Sequence, residues 1–174
     1  MAFVSGPYTA TYDGSSIGIS ERGWEIEQTW FGEPIIGDNM GDSIQDNVYR
    51  GGNCFFSSVL QEFNIAKVRR AFWPYATNMG WSGVIGCNDI AVNNAMTGDN
   101  GQLVLNVVTS ACSGASVYGP SSVTVPHAHI AKNFPIRITL GATHRKVPIR
   151  LQAYPTSLPS GSQSWFSTTG LVSH

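Results

Sequence analysis

Residues 24–31 read Trp-Glu-Ile-Glu-Gln-Thr-Trp-Phe, and this stretch decides the fold. Trp24, Ile26 and Trp30 fall on one side of an extended chain, and Glu25, Glu27 and Thr29 on the other. Side chains of a strand alternate between faces, so this period of two predicts a strand with one apolar and one polar face. In Ser43–Arg50, Ile44 and Val48 oppose Ser43, Gln45, Asn47 and Tyr49, although Asp46 falls on the apolar side. Cys54–Phe63 is apolar on both faces and predicts a strand covered on both sides.

Further along, Leu103, Leu105 and Val107 alternate with Gln102, Val104 and Asn106. Phe134, Ile136, Ile138 and Leu140 alternate with Pro135, Arg137 and Thr139, and Val147, Ile149 and Leu151 with Lys146, Pro148 and Arg150. Pro148 has no N–H to donate, which puts it at an edge or near a strand start. Trp165–Thr169 is a short last strand. One helix is expected: Asn64 caps it, Ile65, Val68 and Phe72 recur at helical spacing, Lys67, Arg69 and Arg70 lie opposite, and Pro74 stops it. About eight to ten strands and one helix predict a single mainly β domain over residues 1–174, a β-sandwich or barrel with one flanking α-helix.

Gly32–Asp42 is too long for a tight hairpin turn, and it carries Ile35, Ile36 and Met40. Aliphatic residues on a loop tip need a surface to cover them, either a neighbouring subunit or the chain's own sheet. Charged residues are only 12% of the chain, about half the usual share, and are replaced by Gly, Ser, Thr, Asn and Pro. Charge is depleted at interface cores, so a surface covered by other subunits fits.

The net charge of −1 hides a division. Residues 1–62 hold nine acidic and two basic side chains, and residues 63–174 hold eight basic and two acidic ones. The two parts predict either oppositely charged faces that attract copies head to tail, or an interleaved fold in which the charges mix.

No catalytic constellation stands out, and the chain is expected not to be an enzyme and to carry no cofactor or metal. His127 and His129 form an HxH pair without a neighbouring carboxylate or cysteine, and after Pro126 they read as loop residues. Glu25 and Glu27 share a strand face, which reads as a solvated face rather than a glycosidase pair. Cys54, Cys87 and Cys112 are odd in number and scattered, which predicts buried free thiols. The tryptophans read mainly as core, with a sugar-binding platform as the other use. No apolar run approaches the roughly 20 residues of a membrane span, and the N-terminus lacks the marks of a signal peptide, as expected of a chain starting at its own initiator methionine.

Three stretches taken together carry a resemblance: MAFVSGPYTATYDGSSIG from residue 1, GDSIQDNVYRGGNCFFSSVLQEF from residue 41, and KVPIRLQAYP from residue 146. On a low-charge, β-rich chain of this size they resemble a tailed-bacteriophage tail tube protein. The resemblance implies six copies in a ring, with sheets joining between subunits into a ring-shaped barrel. Rings stack head to tail into a tube that holds the tape-measure protein, is surrounded by sheath in contractile tails, and conducts double-stranded DNA. It implies a place in the virion after assembly in the host cytoplasm, and no membrane insertion.

A channel wall must let DNA slide, which favours acidic and neutral polar groups over basic ones. On that argument Glu25, Glu27, Thr29, Ser43, Gln45 and Asn47 are expected to line the lumen. Ile35, Ile36 and Met40 are expected to reach the next subunit, and Arg137, Lys146 and Arg150 to form a basic outer or ring-interface face. The competing expectations are a neck, terminator or tube-initiator ring, and a carbohydrate-binding β-sandwich module.

Overall fold

The computed structural model describes residues 8–21, 23–36, 44–60, 101–107, 120–135, 146–157 and 163–171. The expected helix after Asn64, most of the expected strand Phe134–Leu140, and Cys87, Cys112, Trp73 and Trp81 lie outside these residues. Among the described residues the protein is mainly β, with no helix.

Asp13 and Gly14 both have positive φ, 49° and 71°. Two such residues make the turn whose twist matches a two-residue hairpin. They join β1 (Tyr8–Tyr12) to β2 (Ser15–Ile19). The alternating segment 24–31 falls in β3 (Glu25–Ile36) except for Trp24, which precedes it, and the two segments expected on either side of Gly51 form one continuous strand, β4 (Ile44–Leu60). β5 (Gly101–Val107), β6 (Pro120–Ile130) and β7 (Val147–Ala153) follow. β8 (Thr156–Ser157) and β9 (Gln163–Ser164) make a small separate pair, and β10 (Ser167–Leu171) ends the described chain.

The main sheet is antiparallel, in the order β2-β1-β5-β6-β7-β4-β3. β6 is a fork. Its first half pairs with β10, from Thr124 to Pro120, and its end pairs with β7, from Ala128 to Ile130. The fork falls at Pro126 and His127, opposite a register irregularity between Gly101 and Leu103. The expectation of a loop at His127 and His129 is therefore corrected. Both lie on a strand, because Pro126 sits at a break in the ladder where a missing N–H is tolerated.

The sheet curls until Ser20 bridges Leu60 and the Glu21 amide donates to the Val59 carbonyl at 2.9 Å. One bridge brings the edges near without closing the barrel. Pro148 is the second residue of β7 and pairs with Val59 on one side. Its nitrogen points to the β6 side, as does Arg150, whose carbonyl accepts from the Ala131 amide. β6 ends at Ile130, so no described strand lies there to miss the donor.

Inside the curl lie Ala10, Ile17, Cys54, Phe56, Leu60, Leu103, Leu105, Val125, Ile149 and Leu151, all at 1% exposure or less. Tyr12 ties the two ends of this core. Its hydroxyl donates to the Ala128 carbonyl at 2.6 Å and accepts from the Gly101 amide at 3.0 Å. Burial pushes the Tyr12 phenol up to about 12, so it stays protonated and able to donate. A Cβ at residue 101 would collide with the Tyr12 ring, which requires glycine there. Tyr12→Phe leaves a buried N–H and a buried carbonyl without their partner. It should cost about 1–3 kcal/mol, read as a lower urea midpoint at unchanged slope.

Candidate functional site

β7 pairs with β4 only from Cys54 to Leu60. β3 and β4 nevertheless stay paired to Ile36 and Ile44. Residues 29–36 and 44–53 thus form a two-stranded arm that extends beyond the other described strands. At about 3.3 Å per residue it is roughly 25 Å long.

Every exposed large hydrophobic among the described residues is on these two strands: Ile26, Trp30, Phe31, Ile35, Ile36, Ile44, Val48 and Tyr49. Trp30 is 62% exposed and Ile44 61%. An isolated two-stranded ribbon is marginal in water, and an apolar one calls for a partner surface. The outer edge of β3 also has no partner among the described strands, which leaves a row of N–H and C=O groups to pair with another chain. The expectation of a loop from Gly32 is corrected: Ile35 and Ile36 lie on β3, because the β3–β4 ladder runs on to Ile36, and both are exposed; Met40 lies outside the described residues.

Two irregularities set which side chains share a face. Phe31 pairs with Gly51 and Gly32 with Tyr49, so Arg50 is an extra residue; Ile35 pairs with Asp46 and Ile36 with Ile44, so Gln45 is another. By this register Glu25, Glu27, Thr29, Phe31, Glu33 and Ile35 share a face with Val48 and Asp46, while Trp30, Pro34 and Ile36 share the other with Tyr49, Asn47 and Ile44. The expected lumen set is corrected accordingly. Glu25, Glu27 and Thr29 lie together, Asn47 lies on the opposite face, Gln45 is a bulge residue, and Ser43 is outside the described residues. A plain period of two fails across a bulge, since each extra residue turns every later side chain on that strand to the other face.

Of the two expected arrangements of charge, the ion pairs among the described residues fit the interleaved one. Arg150 donates to Glu27 at 2.7 Å, Lys146 to Glu21 at 2.6 Å, and Arg50 to Glu33. The first two join the acidic part of the sequence to the basic part, so here the charges interleave. Arg150 shares a face with Glu27 instead of lying on a separate basic surface; Arg137 is outside the described residues. These partly exposed pairs contribute about 0–1 kcal/mol each.

Beside the base of the arm, the turn after β6 leaves a cleft of about 180 Å³. Phe55, Phe134 and Pro135 form its apolar lining, with Lys132, Asn133 and Arg150 around them. The Arg150 guanidinium lies 4.4 Å from the centre of the Phe55 ring, so a flat cationic group covers one wall.

His127 is exposed, whereas His129 is buried with its ring 4.2 Å from that of Tyr154 and its Nδ1 2.8 Å from the Ile130 carbonyl. The two do not converge, and no group of three or more metal-binding side chains forms among the described residues. Cys54 is a buried free thiol whose pKa burial pushes up to about 11, so it holds no thiolate at neutral pH. No protein-family model matches the chain, and no curated protein matches its sequence.

Burial pulls the His129 pKa below its usual value. Its neutral form is favoured in the fold, so the stability it contributes is present above the unfolded pKa of about 6.5 and is lost as pH falls through that value towards the lower folded one. Denaturant midpoints should drop between pH 7.5 and pH 5, and His129→Gln should flatten that slope.

Proposed function

We propose that this chain is a structural subunit that assembles with copies of itself, of the tailed-phage tail tube type. The observation that carries the reading is the arm. An apolar two-stranded ribbon with an open edge, on a chain of only 12% charged residues, is a surface made to be covered. The proposed assembly is a stack of six-membered rings in the virion, with sheets joined between subunits. Its channel would hold the tape-measure protein and later pass DNA, with sheath outside if the tail contracts. Joining sheets through neighbours would use the free β3 edge as a pairing surface. No lumen face is assigned, because the polar residues that suggested one lie on two faces.

Electron microscopy of the untagged protein across a concentration series tests the proposal. Hollow tubes of stacked rings are the expected result. Rings that never stack would favour a neck, terminator or initiator role. Dispersed monomers at every concentration would overturn self-assembly and favour a carbohydrate-binding module, with exposed Trp30 as its platform.

A further inference from the structure

We infer that the tip of the arm docks into the Lys132–Phe134 cleft of a second copy, a contact that rests on the self-assembly reading. Complementarity on the two surfaces carries the inference. On one face of the ribbon Ile35 pairs directly with Asp46, and Glu33 with Val48. This face presents aliphatic side chains beside carboxylates, and all four residues are exposed. The cleft presents the matching chemistry: apolar Phe55, Phe134 and Pro135 beside the cations of Lys132 and Arg150.

The charges available for pairing differ at the two ends. Arg150 is already held by Glu27 and Glu33 by Arg50. Lys132 has no ion-pair partner among the described residues, and Asp46 is bound only to the adjacent Asn47 amide. On the described part of the arm's docking face the charges are Glu33 and Asp46, and with Glu33 held by Arg50 the free charge is the Asp46 carboxylate, opposite in sign to Lys132 in the cleft.

Geometry points to another copy as the source of the tip. Phe55 lies on β4 at the base of the same arm, and a continuous ladder of paired residues separates it from Ile35 and Asp46. A paired ribbon roughly 25 Å long cannot fold its tip onto its own base without breaking that ladder. Tip to cleft is thus a head-to-tail contact between different surfaces. Contacts of that kind propagate into rings or open filaments, whereas a self-matching patch stops at a dimer.

A charge exchange tests the contact. Lys132→Glu, on the surface and folded by circular dichroism, should raise the concentration needed for assembly by about tenfold or more, since like charges then meet across the contact. Lys132→Glu combined with Asp46→Lys should restore assembly to near the parent concentration. Unchanged assembly of Lys132→Glu, or a double variant that assembles no better than Lys132→Glu alone, overturns the docking contact while leaving self-assembly standing. A parent chain that stays monomeric overturns both.

Discussion

Replacing Trp30 and Ile36 together by serine should leave a folded subunit that no longer assembles. Both side chains are more than half exposed, at 62% and 55%, and neither belongs to the core. Their loss therefore costs the isolated subunit little. Within an assembly each would be covered, and burying a large apolar side chain is worth about 1.5–3 kcal/mol. Since each is only a little over half exposed, losing two removes about 2–4 kcal/mol of contact energy, which raises the concentration needed for assembly by roughly one to three orders of magnitude. Sedimentation velocity beside circular dichroism separates the two effects. A variant that assembles at the parent's concentration would remove the Trp30 and Ile36 face of the arm from the contact, leaving the opposite face of Ile35 and Asp46 to the charge exchange. A variant that unfolds would show instead that the ribbon is needed for the subunit's own stability.

Phe56→Ala should have the largest effect on stability. Phe56 is fully buried in β4, and its ring meets that of Phe166 edge-on, with centroids 5.5 Å apart and planes at 87°. Truncation removes the ring and leaves a cavity, at a cost of about 3–5 kcal/mol. Single domains are stable by only about 5–15 kcal/mol, so this one change consumes a large share. Phe55→Ala is the control. Phe55 is the next residue but points to the opposite face, is only half-buried, and its chief specific contact is the stacked Arg150 guanidinium. Equal losses in the two urea titrations would mean that the inward and outward faces of β4 have been exchanged.

The parts of this fold that were legible in the sequence are those where the ladder runs without interruption. Leu103, Leu105, Val147, Ile149 and Leu151 all point into the core as read. Trp24–Phe31 keeps its two faces by register, but from Glu25 onward both are exposed, so Trp30 is not the core residue expected. The register of 43–50 was not legible. Arg50 and Gln45 are extra residues, and nothing in a period of two announces where a bulge falls. The β1–β2 hairpin left a usable signal, Asp13-Gly14 between alternating residues, which the strand count passed over. His129 read as a loop residue because Pro126 precedes it, but the proline sits where β6 forks. The interleaving of charge depended on which strands became neighbours, as with β7 and β4, about ninety residues apart. The exposure of Ile35 and Ile36 comes from the arm outrunning β7, a length mismatch between strands far apart in sequence.

The topology also fixes the order in which the chain can protect itself during synthesis. β3 and β4 are neighbours in sequence, so the arm can zip up as soon as residue 60 has left the ribosome. The body beneath it cannot form so early. β1 waits for β5, β4 waits for β7, and Tyr12 finds the Ala128 carbonyl only after 116 further residues are made. At about 5–20 residues per second, both strands of the ribbon, marginal by themselves, are out of the ribosome for several seconds or longer before their base can be anchored. Pro34 within β3, with the charged Glu33–Arg50 pair beside it, interrupts edge pairing at mid-ribbon. The features that make the mature arm adhesive are thus present earliest, and the gap that Pro34 leaves in the edge is there before and after the body folds.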